Sequence, residues 1–346
     1  MHTKLRQHCS AMAVIAAAFA GFNAPPVTAQ SMSNYSAVTD ARLLKPEPQN
    51  WLHYRGNFEG WGYSSLDKID TQNVRRLQPV WTLSTGVVEG HQAPPFVNNG
   101  IMFVSTPGNQ VLALNAKTGD LIWRYKRELP EDVVQSHPTN RGIGLYEDKV
   151  FLATLDAFVV ALDAKTGKVL WETRVDDYKR AYYFTLAPLI AKGKVMVGTS
   201  GGEFGIRGYV AALDANTGKE VWRTYTIPAP GDPGHDSWQV ADQWKTGGGS
   251  VWITGHYDPK LNLAYWGTGN PGPWLGDMHP GDSLYTASVI ALDVDTASSG
   301  RITSTRRTKG GTGTRCRPRS SSNTVATAAT SRASCIPAAT AISGGS

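Results

Sequence analysis

The stretch Ala161-Leu-Asp-Ala-Lys-Thr-Gly-Lys-Val-Leu-Trp171 is the strongest indication of the fold, because the chain repeats it. The same pattern stands at 113–123 and at 212–222, and a fourth copy begins at Ala291-Leu-Asp but lacks the glycine and the tryptophan. The copies start 48, 51 and 79 residues apart. A repeat of about 50 residues predicts the blades of a β-propeller or the units of a solenoid.

Each copy has the pattern of a β-hairpin. An apolar strand over 158–162 leads into Asp163-Ala-Lys-Thr-Gly167, where Asp163 can hydrogen-bond the nearby backbone and Gly167 can adopt a positive φ. The next strand, over 169–175, carries the tryptophan, and another strand precedes each hairpin, at 101–105, 150–154 and 195–199. Several short strands per repeat, with a tryptophan at a fixed place, favour propeller blades over a helical solenoid. The predicted fold class is all-β.

Composition allows a folded body and places the positive charge at one end. Of 346 residues, 41% are hydrophobic and 18% charged, which excludes a wholly disordered chain. The formal net charge is +6, but residues 301–346 hold eight Lys and Arg and no acidic residue. Residues 1–300 therefore carry 26 basic against 28 acidic side chains. The nearly neutral body argues against nucleic acid as a partner.

The cysteines and the first residues indicate an exported protein. Cys9, Cys316 and Cys335 lie near the ends, so residues 10–315 have no disulfide framework and no cysteine metal site. Lys4 and Arg6 precede an apolar run over 11–20, and Val27-Thr28-Ala29 resembles a cleavage site. We expect a signal peptide over 1–29 and a periplasmic location. The alternative is an anchor helix, although the run is shorter than the ~20 residues that span a bilayer.

The Ala-x-Asp-x-x-Thr-Gly-x-x-x-Trp unit resembles the tryptophan-docking motif of the quinoprotein β-propellers. In that family each tryptophan packs between neighbouring blades, a purely structural role. The segments between the repeats are similar to the cofactor-site motifs of the pyrroloquinoline quinone (PQQ) dependent alcohol dehydrogenases, the methanol and ethanol dehydrogenase family. The similarity runs from Asn50-Trp51 to about Asp293. It includes Tyr54-Arg-Gly-Asn-Phe-Glu-Gly-Trp-Gly-Tyr63, Thr185-Leu-Ala-Pro188, Gly198-Thr-Ser-Gly-Gly-Glu-Phe-Gly-Ile-Arg-Gly208, Gly247-Gly-Gly-Ser-Val-Trp252 and Gly267-Thr-Gly-Asn-Pro-Gly-Pro-Trp274.

The resemblance implies a bound PQQ together with Ca²⁺, or a lanthanide in some branches, held by Glu203 and Asn270. Ca²⁺ takes oxygen ligands, including carboxylates and side-chain carbonyls. Glu203 follows two glycines, so its carboxylate can approach a ligand closely, and Asn270 stands between Gly269 and Pro271 at a rigid turn. Taken singly, Glu203 could be a surface carboxylate and Asn270 a turn-forming residue.

Other residues are candidates for holding the cofactor. Trp252 offers a large rigid ring face on which a planar cofactor can stack, although it could instead be a core tryptophan. The hydroxyls of Ser200 and Thr185 can bind the cofactor carboxylates, and Arg141 can pair with an anionic oxygen. The remaining candidates implied by the resemblance are Gln92, Gly201, Gly202 and Ser250.

Two positions depart from the family pattern. Methanol and ethanol dehydrogenases carry adjacent cysteines, joined in a disulfide over the quinone, where this chain has Val134-Gln-Ser-His-Pro138. Gln92 stands where the family usually has a glutamate that touches the cofactor. The absence of the cysteine pair indicates a branch distant from methanol dehydrogenase.

The sequence changes character at Arg301. Residues 301–346 hold no Phe, Trp or Tyr, and such a segment cannot bury enough apolar area to offset its ordering entropy. We expect a disordered, out-of-frame tail; a natural disordered tail and a nucleic-acid-binding arm are the alternatives. The family's catalytic Asp, expected some forty residues after Asn270, would fall in this tail, so no catalytic base is assigned.

These features predict a partial propeller over 30–300, about half of the family's eight blades. The resemblance implies oxidation of a small alcohol to an aldehyde, with cytochrome c or a quinone as electron acceptor, and with activity impaired by the missing base. The competing hypothesis is a non-catalytic periplasmic propeller scaffold, which shares the docking repeat but has no need of Glu203, Trp252 and Asn270 in glycine-rich segments.

Overall fold

The computed structural model describes residues 32, 35–88 and 90–304, and of 300–304 the backbone alone. These residues belong to the larger of two compact units of the chain, Met32–Ser346. The predicted signal peptide and the predicted tail beyond residue 304 lie outside the described residues. In the described part, no helix has the length and apolar character needed to cross a membrane.

The described residues form four antiparallel sheets of four strands, each sheet ordered as in the sequence. The first sheet comprises β1 (Phe96–Asn98), β2 (Ile101–Thr106), β3 (Gln110–Asn115) and β4 (Leu121–Lys126). The second comprises β5 (Gly144–Tyr146), β6 (Lys149–Ala153), β7 (Phe158–Asp163) and β8 (Val169–Arg174). The third comprises β9 (Leu189–Ala191), β10 (Lys194–Gly198), β11 (Tyr209–Asp214) and β12 (Glu220–Tyr225). The fourth comprises β13 (His256–Asp258), β14 (Leu263–Gly267), β15 (Ser288–Asp293) and β16 (Ser299–Ser304).

Helical structure in the described residues is short. The α-helix α1 spans Asp40–Leu44, capped by the Thr39 side chain, which accepts from the Arg42 N–H. The 3₁₀ turns are Val74–Arg76, Tyr178–Arg180, Gly202–Phe204, His235–Ser237, Gln243–Lys245 and Gly276–Met278. The predicted all-β class is confirmed, and the predicted hairpin strands agree with the observed ones to within one residue.

The repeated hairpin closes as its sequence predicts. Asp163 Oδ1 accepts hydrogen bonds from the Lys165 and Thr166 backbone N–H groups, and Gly167 has a φ of +72°. The strands on either side shift register just after Ala161, and the other three sheets shift at the equivalent alanine. The four hairpins are therefore built alike, including the copy that lost its glycine and tryptophan.

Each docking tryptophan bonds to the next sheet. The indole N–H of Trp123 donates to the Ala164 carbonyl at 2.9 Å, that of Trp171 to Ala215 at 3.2 Å, and that of Trp222 to Val294 at 2.9 Å. In the second and third sheets the hairpin glycine lies on this indole, Gly167 on Trp123 and Gly218 on Trp171. A Cβ at Gly167 would stand 2.7 Å from the Trp123 ring, closer than real contacts allow. The predicted packing of these tryptophans between sheets is confirmed.

Trp81 also docks through an indole hydrogen bond and a glycine contact, although it does not belong to the sequence repeat. Its indole N–H donates to the Ala116 carbonyl at 3.2 Å, and a Cβ at Gly119 would lie 2.6 Å from its ring. Trp81 therefore docks on the first sheet as Trp123 docks on the second. The signal in the sequence was the pattern Val80-Trp81, which matches the start of a tryptophan strand without a hairpin before it.

The fourth sheet departs at two repeat positions. Ala297 replaces the hairpin glycine and keeps a positive φ of +60°, and its N–H still donates to the Asp293 carbonyl at 2.9 Å. Arg301 pairs with Ala291 where the other sheets place the docking tryptophan. Because β16 continues to Ser304, the predicted boundary at residue 300 divides a strand: residues 301–304 belong to the fourth sheet and not to the tail.

The hairpin position at Ala297 generates a stability prediction. Ala297→Gly should raise the free energy of unfolding by about 0.5–1 kcal/mol, since a left-handed conformation costs a non-glycine residue ~1–2 kcal/mol and glycine loses more backbone entropy. Gly167→Ala should lower it by ~2 kcal/mol or more, because the added Cβ meets the Trp123 ring. Denaturant unfolding followed by tryptophan fluorescence measures both. Loss of stability in Ala297→Gly, or no change in Gly167→Ala, would contradict the analysis.

Candidate functional site

The predicted site residues lie at one edge of the sheets. In an antiparallel sheet, the start of the first strand, the end of the second and the start of the third share an edge. Arg141, Thr185 and Trp252 precede the first strands of the second, third and fourth sheets. Ser200 and Glu203 lie in the β10–β11 connection, and Asn270 lies in the β14–β15 connection.

Three polar side chains form a connected chain at this edge. Arg141 Nη1 donates to Thr185 Oγ1 at 2.7 Å, and Thr185 Oγ1 is 2.9 Å from Ser200 Oγ. The backbone adds a bond from the Arg141 N–H to the Thr185 carbonyl at 3.0 Å. Thr185 and Ser200 are buried. The second and third sheets therefore hold these side chains in fixed positions relative to one another.

Trp252 joins this cluster from the fourth sheet. Its carbonyl accepts from Thr185 Oγ1 at 3.4 Å, and the residue is 38% exposed. The Arg141 guanidinium carbon lies over the ring, 4.8 Å from the centroid, in a cation–π contact. The hydrogen bond to the Thr185 hydroxyl holds the guanidinium in this position over the ring.

Arg141 carries a positive charge that lacks a counterion in the described part of the chain. Its side-chain partners there are the Thr185 hydroxyl, the carbonyls of Thr185 and Trp252, and the indole ring. Burial lowers the pKa of the Arg141 guanidinium, which still remains charged at neutral pH. A half-buried cation without a carboxylate partner is a binding point for an anion.

Glycines bring the Glu203 and Asn270 segments together around Ser250. A Cβ at Gly202 or at Gly269 would stand 2.8 Å from Ser250 Oγ, so both segments pass directly against this buried side chain. The Gly269 N–H donates to the Ser250 carbonyl at 2.6 Å. The glycines thus allow three segments from two sheets to approach more closely than larger residues would permit.

A glycine is needed at position 201 for a separate steric reason. It has a φ of +103°, and a Cβ there would lie 2.1 Å from the Ala181 carbonyl oxygen. The turn that presents Glu203 therefore depends on the absence of a side chain at two successive positions.

Glu203 and Asn270 follow these glycines, and both are exposed. Neither the Glu203 carboxylate nor the Asn270 amide hydrogen-bonds to another of the described residues, so their oxygens are open to a ligand. The same residues contain no group of three or more His, Cys, Asp or Glu side chains that could hold a metal ion. A cation at this place would have to take further ligands from a bound molecule or from water.

The remaining predicted residues lie along the rim. Gln92 is exposed and its backbone N–H donates to the Asn140 carbonyl at 3.3 Å, next to Arg141. In the segment that replaces the family disulfide, the Ser136 N–H donates to the Tyr183 hydroxyl at 3.2 Å, and Tyr183 accepts from the Ser200 N–H through its carbonyl. Tyr183 was missed by the sequence analysis; it links this segment to the polar cluster.

Comparison with known proteins identifies the family of this chain. The family model of the PQQ glucose/ethanol/alcohol dehydrogenase β-propeller domain matches residues 51–300, which include every candidate site residue. The chain belongs to this PQQ dehydrogenase family. The predicted family is therefore confirmed, and the match favours a dehydrogenase propeller over a scaffold propeller.

Individual PQQ dehydrogenases agree in sequence and in structure. The quinoprotein alcohol dehydrogenase PedH of Pseudomonas putida is 37% identical over 282 residues, which are 75% of this chain and 47% of that protein. The structure of the quinohemoprotein alcohol dehydrogenase ADHIIG from Pseudomonas putida HK5 superposes with a TM-score of 0.74 at 35% identity, covering 79% of this chain and 43% of that one. A europium-containing methanol dehydrogenase gives a TM-score of 0.73 at 36% identity, covering 78% of this chain and 50% of that one. The chain thus spans about half the length of these relatives.

The close packing at Ser250 can be tested by a paired substitution. Gly202→Ala should destabilise the 199–206 connection, because its new Cβ meets Ser250 Oγ. Adding Ser250→Gly removes that oxygen and should restore much of the loss. Hydrogen exchange of the peptide covering 199–206 measures the effect, with faster exchange expected in the single variant and slower exchange in the double variant. Equal exchange in both variants would show that the contact does not hold this connection.

Proposed function

We propose that this chain binds PQQ and a hard cation at the edge formed by Arg141, Trp252, Glu203 and Asn270, as the first part of a site for oxidising a small alcohol to an aldehyde. The proposal rests on one observation: three sheets bring two kinds of binding group to the same edge. One part is a cation beside an exposed indole, and the other is a pair of free oxygen donors on glycine turns. An anionic, planar, metal-binding cofactor matches both.

The first part supports binding of the carboxylates of PQQ. Arg141 offers guanidinium N–H groups without a carboxylate partner in the described structure, and the Thr185 and Ser200 hydroxyls stand within 3 Å of each other beside it. Charge-assisted bonds from Arg to a carboxylate are among the strongest hydrogen bonds in proteins. Arg141 would exchange its contact with the indole for an ion pair, which leaves the ring face free for stacking.

The second part supports a hard cation. Ca²⁺ takes 6–8 oxygen ligands, and Glu203 and Asn270 can supply a carboxylate and an amide oxygen. The ligand set would be completed by the anionic oxygens of the cofactor, since the described residues offer no further acidic cluster there. Among the relatives are a lanthanide-dependent methanol dehydrogenase and a europium-containing one, so a lanthanide is as suitable a probe as Ca²⁺.

When bound, PQQ supplies the redox chemistry of the family, and the cation acts as a Lewis acid. The chain's own residues would bind and orient the cofactor and the cation. Trp252 would stack on the cofactor, Arg141 would pair with its carboxylates, and Glu203 and Asn270 would bind the cation. We propose that electrons leave to a cytochrome c or a quinone, because the relatives include a methanol dehydrogenase named for cytochrome c and a quinone-linked alcohol dehydrogenase. Export through the predicted signal peptide would place the reaction in the periplasm.

We expect the catalytic step of this chain to be slow. No acidic residue follows Asp295, so the part of the sequence where the resemblance places the base has no carboxylate. A general base typically contributes ~10²–10⁴ in rate. We therefore expect the chain to bind PQQ but to oxidise alcohol slowly.

The decisive experiment measures PQQ binding by the purified chain with Ca²⁺ or La³⁺, by isothermal titration calorimetry. Trp252→Ala should weaken PQQ binding about tenfold or more, since base–aromatic stacking of comparable area contributes ~1–3 kcal/mol. Leu261→Ala is the control, because Leu261 is an exposed apolar residue in the β13–β14 turn, at the edge of the fourth sheet opposite the candidate site. It should leave the affinity unchanged.

Equal affinity in wild type and Trp252→Ala, or equal loss in both variants, would overturn the stacking role. Undetectable PQQ binding by a folded wild-type chain would overturn the proposed function. In the same preparation, dye-linked oxidation of ethanol should be at least ~10²-fold slower than in a full-length relative. Rapid turnover would show that another residue acts as the base.

A further inference from the structure

A cavity of about 360 Å³ is lined by residues of the third and fourth sheets, and none of the candidate site residues lines it. We call it the interface cavity. Its volume falls within the ~300–1,000 Å³ of small-molecule sites in proteins, which combine apolar walls with a few polar groups. Most of its walls are apolar or aromatic, from Tyr225, Pro228, Pro233, Tyr285, Ile290 and Leu292.

Hydrogen bonds between the two sheets hold the walls of the interface cavity in place. Thr224 Oγ1 donates to the Ala297 carbonyl at 3.3 Å, which joins β12 to the hairpin of the fourth sheet. The Tyr285 hydroxyl donates to the Pro233 carbonyl at 3.1 Å, which joins the connection before β15 to the connection after β12. A ligand that enters a cavity with fixed walls has little ordering cost to overcome.

Arg207 brings a cation to the interface cavity, and only part of its hydrogen-bonding capacity is used. Its Nε and Nη2 donate to the Ile227 carbonyl at 3.0 and 2.6 Å, and Nη1 makes no hydrogen bond within the described part of the chain. The guanidinium carbon lies over the rings of Tyr225 and Trp244, 4.0 and 4.7 Å from their centroids. These contacts fix the plane of the guanidinium and leave N–H groups for another acceptor.

The missing carboxylate partner distinguishes Arg207 from two other arginines that lie over aromatic rings. Arg127 pairs with Asp156 and Glu172, and Arg223, which also lines the cavity, likewise pairs with two carboxylates. Arg207 forms no ion pair with any residue that the structure describes. Burial lowers the pKa of its guanidinium, which still remains charged at neutral pH. A half-buried charge without a partner favours the binding of an anion.

We propose that the interface cavity binds a small organic monocarboxylate, with the carboxylate on Arg207 and the apolar body against the cavity walls. The planar guanidinium suits the two oxygens of a carboxylate. Asp232 also lines the cavity and forms no ion pair among the described residues, so it would repel a phosphate dianion more strongly than a single negative charge. The proposal is independent of PQQ binding.

Benzoate is a suitable probe, because its ring matches the apolar and aromatic walls. Isothermal titration calorimetry of the purified full chain should detect benzoate binding at millimolar concentrations or below. Benzamide has the same shape without the charge, and it should bind about tenfold more weakly or worse, the effect of losing a hydrogen bond between charged groups. Inorganic phosphate should also bind more weakly than benzoate.

Three substitutions locate the bound benzoate. Arg207→Met removes the charge and keeps a long side chain, and it should weaken benzoate binding about tenfold or more. Arg180→Met is the matched control, because Arg180 also lies over a tyrosine ring, that of Tyr182, and does not line the cavity. Arg141→Met removes the cation of the candidate cofactor site. Both of these variants should keep the benzoate affinity of the unchanged chain.

Any of four results would overturn the proposal. These are no benzoate binding by the folded chain, equal affinity for benzoate and either benzamide or phosphate, full affinity in Arg207→Met, and a loss in Arg180→Met or Arg141→Met as large as that in Arg207→Met. Circular dichroism confirms the folding of each variant. The comparison of benzoate with benzamide uses the unchanged chain, so it tests the need for a charge even if a variant is destabilised.

Discussion

The structure depends on one interaction, the docking of a tryptophan onto the hairpin of the sheet that follows it in the chain. It combines an indole hydrogen bond to a carbonyl with direct contact between the ring and a glycine, as in Trp171 with Ala215 and Gly218. The bond fixes the orientation of the indole, and the glycine allows the sheets to approach within van der Waals contact. Trp81, Trp123 and Trp171 make both contacts, and Trp222 keeps the indole bond to Val294, so successive sheets are held to one another in equivalent ways.

This repetition also builds the candidate site. Equivalent edges of the second, third and fourth sheets converge, so that Arg141, Thr185 and Trp252 come into contact although they are far apart in sequence. The connections that carry Glu203 and Asn270 are then drawn together over Ser250 by glycines that no other residue could replace without a clash. The docking contacts hold the sheets together, and the glycine-rich connections carry the candidate ligands Glu203 and Asn270.

The repeat made most of the fold predictable, because the hairpin is a local structure. Asp163 and Gly167 act within a few residues of each other, and the strands around them agree with the prediction to within one residue. Family motifs predicted which residues gather at the site. Features outside the repeat pattern could not be predicted from the sequence. Trp81 docks although no hairpin precedes it, and Ala297 keeps the left-handed conformation of the glycine that it replaces. The position of Arg141 over the Trp252 ring depends on contacts among three sheets.

We propose that the docked sheets bring the Glu203 carboxylate and the Asn270 amide oxygen to a single cation site beside the bound cofactor. Anomalous diffraction from crystals of the chain grown with PQQ and a lanthanide tests this most directly. We expect one strong anomalous peak bonded to both the Glu203 carboxylate and the Asn270 amide oxygen, at about the 2.3–2.6 Å of Ca²⁺–oxygen bonds. A lanthanide peak bound elsewhere, or PQQ density without a metal between these two side chains, would contradict it.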